Sequence, residues 1–533
     1  MIAATKSRTF GRTGITLAAA FLGVAVSLVP WVRLSAGAPA GDAALAQFVS
    51  AASPAEAATA AAAVVASGAT FDEAYRALRK GRAYNADVPR GIAKASHKLG
   101  ALTFNYQLEV PDSYDPAKSY QMRVQLHGGV GRPDPAPRTT GIGQLAGAEQ
   151  IYLLPTAWNE AEWWTDLQLG NLRTLIDLVK RSYNIDENRV VLSGVSDGGT
   201  ATYYFSMRDT TPFAAFLPLN GAIPVLRNTS MRIDGALFMN NMMNKPFFIV
   251  NGGKDPLYPT TLVEPYINQM QKGGVEVKYM PQPEAVHNTA WWPDVKDTYE
   301  AFVKAHPRTP LPDTLTWESD LRENTGRAHW LVIDALAPAQ KESAPLPDLN
   351  ERVGPAEPDF GIRVSGSRIT GVTAGSNADG LGLLPGDVVA RVNGRVLPSA
   401  MDATDLIELV DTGAPLVLSV TRNGQSVELK GTYNPTPLPR RIPFFTHSRP
   451  SGRVDLKREG NTVTATTRRV AAFTLLVSPD QFDLAKPVKV VADGRTVFEG
   501  TVKPNLATLL KWAAKDNDRT MLFASEIPIR LAD

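Results

Sequence analysis

The chain has 533 residues, of which 44% are hydrophobic and 20% are charged, and its 55 basic and 53 acidic side chains leave a net charge of +2. This composition excludes a disordered chain, and the balanced charge gives no electrostatic basis for binding nucleic acid. No cysteine is present, which excludes disulfides, thiolate metal sites and a cysteine nucleophile. The length predicts about three or four domains.

The N-terminus has the pattern of an export signal. Residues 1–13 are basic, and residues 14–32 are apolar and uncharged. This is typical of a signal peptide, and Ala44-Leu45-Ala46 offers a small-x-small cleavage site, which predicts a leader at 1–46. The apolar run is also about long enough to span a bilayer, so an uncleaved N-terminal anchor is the alternative. In both cases we expect the remaining chain to be exported: periplasmic, extracellular or membrane-anchored and facing outward.

The remaining chain divides into consecutive segments by composition and by the spacing of its apolar residues. Between residues 102 and 310, short β-rich runs alternate with helical segments, which predicts a parallel sheet flanked by helices. The predicted segments are a helical N-terminal one at 47–101, the α/β domain at 102–310, a strand segment at 311–335, a Pro-rich linker at 336–358, a compact β-rich unit at 359–433, a second Pro-rich linker at 434–451 and an all-β C-terminal domain at 452–533.

The strand-like segments on either side of the β-rich unit suggest an insertion. Both 311–335 and 452–533 are alternating and aromatic, and neither is large. We expect them to form one small β domain into which the unit at 359–433 is inserted. This hypothesis requires Trp330–Ile333 to pair with a strand from residues 453–502.

A candidate nucleophile lies at Ser196. The string Gly194–Gly198 (GVSDG) fits G-x-S-x-G, follows the β-forming run 189–192 (RVVL) and precedes the small residues 199–202 (GTAT). Strand, sharp turn and helix are the context that this motif needs, because the turn exposes the serine above a sheet. Glycines two residues to either side allow the backbone to pack tightly.

A serine hydroxyl needs an adjacent base, and in this topology the acid and then the histidine follow the serine. His287 is the candidate base, because it follows the strand-like run 275–280 in a loop, whereas the other five histidines precede the serine, end a helix or lie beyond the α/β region. Asp255 is the candidate acid, at the end of a Gly-rich turn after the β-forming run 245–250. Asp294 and Asp297 are rivals that follow the histidine.

The developing oxyanion needs hydrogen-bond donors. His127-Gly128-Gly129 follows a strand-like run, which suits a loop whose backbone N–H groups point at the carbonyl oxygen. The candidate donors are Gly128 and Gly129, together with the N–H group of Asp197. We expect His127 to support this loop and not to act as the base.

Four strings in this region resemble a known family. DENRVVLSGVSDGG, VNGGKDPLYP, LHGGV and EAVH are similar to the elbow, acid, oxyanion and histidine segments of α/β-hydrolases of the secreted esterase and prolyl-oligopeptidase-like kind. The resemblance covers residues 102–306 and implies that fold, with Ser196 as nucleophile, Asp255 as acid, His287 as base, and Gly129 and Asp197 as oxyanion donors. Prolyl oligopeptidases carry a large β-propeller ahead of the catalytic domain, and the segment at 47–101 is too short for one. This departure favours an esterase or a small-peptide hydrolase.

Aromatic residues cluster near these motifs in the sequence. An aromatic wall for an acyl, aryl or sugar group is one interpretation, and simple core packing is the other. Trp291 and Trp292 follow His287 so closely that we expect at least one to line the pocket. The candidate substrate-pocket residues are Trp158, Trp163, Trp164, Trp291 and Trp292.

The β-rich unit at 359–433 resembles a PDZ domain of bacterial type. The strings DFGIRV, ITGV, GSNA, GLLPGDVV and VNG carry the resemblance, and the Leu-x-Pro-Gly-Asp turn followed by a strand and an Asn-Gly hairpin is its most specific part. PDZ domains bind an extended peptide at a sheet edge and hold its C-terminal carboxylate with backbone N–H groups. The resemblance implies that Phe360, Gly361 and Ile362 form that loop. A rigid spacer is the alternative.

Three functions follow from these motifs. The leading one is a serine hydrolase that acts on carboxylic esters or small amides through an acyl-enzyme. The alternatives are a serine peptidase of prolyl-oligopeptidase type and a non-catalytic PDZ scaffold or binding protein of the cell envelope, and an envelope assembly factor with hydrolytic trimming would combine both kinds. The expected partners are a small ester or peptide substrate and a protein C-terminus. Nothing in the sequence requires a metal or an organic cofactor.

Overall fold

A computed structural model describes residues 40–133, 141–228, 233, 236–338, 348–398, 401–447 and 449–531. The apolar run at 14–32 lies outside these residues. Within them, no helix combines the length and the apolar character needed to cross a bilayer.

The elements of the described chain fall into four groups along the sequence. The first 310 residues contain helices α1 (Ala40–Ser50), α2 (Pro54–Ala66) and α3 (Phe71–Lys80), strands β1 (Gly91–Leu99), β2 (Leu102–Val110), β3 (Tyr120–Leu126) and β4 (Ile151–Pro155), helix α4 (Asp166–Ser182), strand β5 (Ile185–Val195), helix α5 (Asp197–Arg208), strands β6 (Phe216–Leu219) and β7 (Phe247–Ile249), helix α6 (Thr260–Lys272), strand β8 (Val277–Tyr279) and helix α7 (Trp292–Ala305). Next come β9 (Thr314–Ser319), β10 (Arg327–Ala328) and β11 (Leu331–Leu336). A third group contains β12 (Glu351–Asp359), β13 (Ile362–Ser365), β14 (Arg368–Val372), α8 (Asn377–Gly380), β15 (Val388–Val392), β16 (Arg395–Val396), α9 (Ala403–Ile407), β17 (Pro415–Arg422), β18 (Gln425–Thr432) and β19 (Thr436–Pro443). The last group contains β20 (Gly452–Glu459), β21 (Thr462–Arg468), β22 (Val470–Val477), β23 (Val488–Ala492), β24 (Arg495–Gly500), α10 (Leu506–Asp516) and β25 (Ser525–Arg530).

The first group forms a mixed α/β fold on one eight-stranded sheet. The strand order is β1-β2-β4-β3-β5-β6-β7-β8, and every pairing from β4 to β8 is parallel. Successive strand residues point into different cores: Val190 packs in the core that holds α4, α5 and α6, and Val191 packs in the core of α7. Helices on both faces explain why β6 (FLPL), β7 (FFI) and the run Val190–Leu192 of β5 are apolar without alternation.

Strand β1 corrects the prediction of a helical segment at 47–101. Residues 91–99 pair antiparallel with β2 in a hairpin and extend the sheet at its edge. Most of this edge strand faces solvent, so charged and polar side chains interrupt its apolar residues at Lys94, His97 and Lys98. Helices α1–α3 do form, and they pack against α10 near the other end of the chain.

The strand segments around the insertion share two sheets. Strand β11 pairs antiparallel with β22, so that Leu331 lies opposite Leu475, and β9 pairs antiparallel with β20. Trp317 and Trp330 are buried in one core with residues of β20 and β22. This is the pairing that the insertion hypothesis requires.

The predicted linkers are not irregular chain. Strands β12 and β19 pair antiparallel as a two-stranded ribbon, which places parts of 336–358 and 434–451 in regular structure. Each strand of such a ribbon has one open side, and proline is tolerated there because it lacks an N–H donor. The ribbon leads into a sheet of order β13-β14-β15-β17-β18, with β16 beside β15, and β13 is at its edge.

Candidate active site

Ser196 occupies a strained turn between β5 and α5. Its backbone has φ 57° and ψ −120°, a region that L-residues rarely adopt. The turn is closely packed: a Cβ atom added to Gly194 would lie 2.2 Å from the Gly198 carbonyl oxygen, and one added to Gly198 would lie 2.4 Å from the Leu126 carbonyl oxygen. Both positions therefore require glycine, as the G-x-S-x-G pattern implies.

Three predicted side chains form one hydrogen-bonded chain. His287 Nε2 lies 2.8 Å from Ser196 Oγ, and His287 Nδ1 lies 2.6 Å from Asp255 Oδ2. A carboxylate can only accept, so Nδ1 carries the proton and Nε2 is left as the acceptor for the serine hydroxyl. This is the tautomer that a general base toward Ser196 needs.

Asp255 is fixed on its other side by backbone donors. The residue is 2% exposed, and its Oδ1 accepts from the N–H groups of Leu257 (2.8 Å) and Tyr258 (2.9 Å). A buried carboxylate with these partners stays oriented toward the imidazole. The Asp255 carboxylate is therefore held on one side by its own turn and on the other by His287.

Two asparagines hold the histidine loop, and the sequence analysis missed both. Buried Asn220 has φ 47° and donates through Nδ2 to the carbonyl oxygen of Asn288 (2.8 Å), the residue after His287. The backbone oxygen of Asn251 accepts from Gln282 N–H (2.9 Å) at the start of the same loop. Asn220 directly follows β6 and Asn251 lies two residues after β7; this position is the one sequence signal for them, since the ends of parallel strands meet at the same sheet edge.

The loop after β3 lies against the nucleophile. A Cβ atom added to Gly128 would lie 2.8 Å from Ser196 Cβ, and Gly129 has φ +66°. His127 supports this loop: its Nε2 accepts from Ala157 N–H (3.1 Å), which makes Nδ1 the donor to the Gly128 carbonyl oxygen (2.9 Å). Asp197 is the first residue of α5, and N–H groups there have no partner within the helix. Of the predicted oxyanion donors, Asp197 thus adjoins the serine in sequence and Gly128 adjoins it in space.

The predicted aromatic wall is wrong. Each of the five tryptophans is at most 6% exposed, since they are packed in the cores. Their indole groups serve the scaffold: Trp163 Nε1 donates to the His127 carbonyl oxygen (2.9 Å) and Trp292 Nε1 to the Ala146 carbonyl oxygen (2.9 Å). Trp291 borders an open cavity of about 520 Å³, but the lining of that cavity, residues 282–286, 288, 290 and 291, includes neither Ser196 nor His287. The remaining two, Trp158 and Trp164, contact Phe104 and Glu162.

Tyr258 is a further neighbour of the triad. Its ring meets the His287 ring edge-on, with centroids 5.4 Å apart. Burial, together with the carboxylates of Asp197 and Asp255, raises the pKa of Tyr258 to about 12, so its hydroxyl stays protonated at neutral pH. Its place three residues after the acid gave no recognisable sequence signal.

The residues predicted to bind a peptide adopt a closed turn. Phe360 is buried in the core of the inserted unit, and Ile362 begins the edge strand β13. Gly361 has φ +88° and donates its N–H to Asp359 Oδ1 (2.8 Å). One of the donors expected to hold a carboxylate is therefore occupied by a carboxylate of the chain itself.

No group of three or more His, Asp or Glu side chains suited to a metal ion occurs in the part of the chain that the structure describes.

Comparisons with known proteins give structural neighbours only. No family model and no curated protein matches the sequence. A thermostable esterase is 20% identical over 41% of this chain and 63% of its own, with a TM-score of 0.33. A ferulic acid esterase is 15% identical over 40% of this chain and 98% of its own (TM-score 0.33), and the Pyrococcus horikoshii acylaminoacyl peptidase is 12% identical over 41% and 42% (TM-score 0.34). The chain thus spans less than two thirds of the first and the third of these proteins.

Proposed function

We propose that the protein is a serine hydrolase that cleaves carboxylic esters or small amides. The observation that carries this proposal is the continuous hydrogen-bond chain from Ser196 Oγ through His287 to Asp255. It ends on a serine in a strained turn beside a glycine loop. Nucleophile, base and orienting acid in this geometry are the requirements for acyl transfer.

The reaction would proceed through an acyl-enzyme. Ser196 Oγ attacks the carbonyl carbon while His287 Nε2 takes the hydroxyl proton, and Asp255 stabilises the imidazolium that forms. The tetrahedral oxyanion accepts hydrogen bonds from backbone N–H groups of Gly129 and Asp197. Collapse breaks the bond to the leaving group, which takes the proton from His287. Water then attacks the acyl-enzyme, gives its proton to His287, and the acid is released as Ser196 recovers its proton.

Exposed side chains of both kinds lie beside the triad in sequence. Leu257 comes two residues after Asp255 and is 59% exposed, and Val286 precedes His287 and is 46% exposed. Lys254 and Glu284 form an exposed ion pair beside the same residues, so both apolar and charged groups are present on these two loops.

A fluorophosphonate probe tests the catalytic proposal. The wild-type protein should be labelled at Ser196, and Ser196→Ala should not be labelled. Absence of labelling in a folded wild-type protein would favour the non-catalytic scaffold. Rates with p-nitrophenyl acyl esters against aminoacyl- and prolyl-nitroanilides then separate an esterase from a peptidase.

We also propose that the unit at 359–433 binds an extended peptide along β13. The supporting observation is that β13 is at a sheet edge, with α9 nearby, where Ala403 N–H donates to the Gly366 carbonyl oxygen (3.0 Å). An exposed edge offers N–H and C=O groups to an added strand. Peptide-array binding to the full-length protein, with amidated and free C-termini compared, tests this role.

Export remains a proposal that rests on the sequence of residues 1–33. The position of the cut can be compared with the structure. The predicted cleavage site at Ala44–Ala46 lies inside helix α1, where Leu45 is 4% exposed. A cut there would remove part of that helix. N-terminal sequencing of the exported protein should therefore find a cut before residue 41 or no cut.

A further inference from the structure

The side chain of Asp197 joins two parts of the proposed site. Asp197 follows the nucleophile, and its Oδ2 accepts from the N–H of Val130 at 2.9 Å. Val130 directly follows Gly129, a candidate oxyanion donor. The residue that follows Ser196 in sequence is thus tied to the oxyanion loop through its side chain.

A third segment meets the same carboxylate. The negative charge of Asp197 acts on the nearby Tyr258 hydroxyl and helps to raise its pKa. The Tyr258 ring packs edge-on against His287, and the Tyr258 N–H donates to Asp255. The elbow, the oxyanion loop and the acid turn therefore converge on one side chain.

We propose that the Asp197 carboxylate is a positioning group that holds the oxyanion loop in register with the nucleophile. This inference rests on the proposed serine hydrolase function. Oxyanion donors act only when they are fixed before the charge develops, and a displacement of about 1 Å in such a site costs about 10²-fold in rate. The loop from Gly128 to Val130 has no regular secondary structure, so its position depends on contacts such as this one.

The position also explains why an acid is tolerated beside a developing negative charge. Asp197 lies at the N-terminus of α5, where the helix dipole favours a carboxylate. The Val130 N–H donates to it, so part of its negative charge is already compensated. A neutral side chain that accepts the same hydrogen bonds should serve nearly as well.

Three substitutions test this positioning role. Asp197→Ala removes the acceptor for Val130, and kcat should fall about 10- to 100-fold with little change in KM. Asp197→Asn keeps an acceptor oxygen, and its kcat should stay within about threefold of wild type. Tyr258→Phe keeps the ring against His287 and loses only the hydroxyl, so its effect should be smaller than that of Asp197→Ala and not additive with it. Asp72→Ala is the matched control, because Asp72 is an exposed acid in the first turn of α3.

The experiment combines kinetics with amide exchange. The rate constants are divided by the concentration of sites that react with the fluorophosphonate, so that loss of folded protein does not enter kcat. Hydrogen exchange of the peptide that contains Val130 should be faster in Asp197→Ala than in wild type, Asp197→Asn or Asp72→Ala.

A fall in kcat together with faster exchange, both reversed in Asp197→Asn, supports the inference. An active Asp197→Ala enzyme with unchanged kcat and exchange overturns it while leaving the hydrolase intact. Equal losses in Asp197→Ala and Asp197→Asn also overturn it, since they would assign the effect to charge. A wild-type protein that neither reacts with the probe nor cleaves esters overturns the proposed function and this inference together.

Discussion

The turn at Ser196 and the turn at Gly361 both place a residue at positive φ, and in both the N–H of that residue is bonded within the chain. Ser196 N–H donates to the Leu219 carbonyl oxygen at 3.0 Å, so the two turns differ in their surroundings. At Ser196, a helix begins at the next residue, and Gly128 of the neighbouring loop approaches the serine closely. At Gly361, the N–H donates to Asp359 Oδ1. A tight turn alone therefore does not make an anion site. The side chains around it decide whether its N–H groups face a substrate or the chain itself.

The largest expected effect is the fall in kcat when Ser196 or His287 is replaced. Ser196→Ala or His287→Ala should lower kcat by about 10⁴–10⁶-fold, because the nucleophile or its base is gone, whereas the melting temperature should change little. Peptide binding by the 359–433 unit should be unchanged. Steady-state kinetics, thermal melting and peptide titration of each variant measure the three quantities.

A loss of activity in Ser196→Ala identifies the nucleophile only when the variant keeps its fold. Circular dichroism and hydrogen exchange of β5 and α5 serve as the control. Residual activity above about one hundredth of wild type in well-folded Ser196→Ala would exclude this serine as the nucleophile.

The pH dependence should differ between the two turns. The mechanism needs a general base in its neutral form beside Ser196, so kcat/KM should fall toward acidic pH. The pKa of Tyr258, raised to about 12 by burial, keeps its hydroxyl protonated, so its ionisation should cause no loss of activity up to about pH 10. Residues 359–433 contain no histidine, and peptide binding should stay flat between pH 5 and 8. An acid limb shared by both activities would indicate unfolding instead of titration at the triad.

Residues close in sequence to a chemical motif were predictable, and long-range supports were not. Ser196, Asp255 and His287 follow strands whose apolar runs are visible in the sequence, and their order fits the sheet topology. The roles of Asn220 and Tyr258 depend on which loops meet across the sheet edge. The tryptophans misled because a large ring near a motif is compatible with a pocket and with a core, and only three-dimensional packing separates the two.

The strands were likewise predictable from the sequence where apolar residues form a clear run. Strands β6 and β7 and the run Val190–Leu192 of β5 are continuously apolar, as buried parallel strands are. Strand β1 was missed because charged residues occupy its exposed positions, and the ribbon β12–β19 was missed because its prolines suggest irregular chain. Both are edge or two-stranded elements, in which cross-chain pairing determines the structure more than local preference does.

Substitution of Gly361 should disrupt the turn of the inserted unit and leave the turn at Ser196 intact. A Cβ atom there would lie 2.1 Å from Ser376 Cβ, and the φ is +88°, so Gly361→Ala should destabilise the inserted unit by about 2–4 kcal/mol. Gly366 is the control, because it has φ +60° but no atom within 4 Å of its added Cβ, and Gly366→Ala should cost only about 1 kcal/mol. Urea unfolding followed by limited proteolysis of this unit measures both, and kcat should be unaffected in either variant. Equal losses in the two variants would show that backbone strain, and not the contact with Ser376, dominates.

The smallest effect should come from opening the second turn. In Asp359→Ala the Gly361 N–H loses its internal acceptor, and a negative charge leaves the turn, so a peptide with a free C-terminal carboxylate should bind about tenfold more tightly at low salt. The amidated form of that peptide should gain nothing, because it carries no carboxylate to fill the vacated position. Asp379 is the matched control: its Oδ2 accepts from Gly375 N–H at 2.8 Å in the same unit, so Asp379→Ala removes an equal charge from a different turn. Calorimetric titration of the four combinations of variant and peptide separates a local exchange of carboxylates from a general electrostatic gain. An equal gain for both peptides, or in both variants, would mean that Asp359 does not occupy the carboxylate position, and that β13 takes its partner without a terminal anchor.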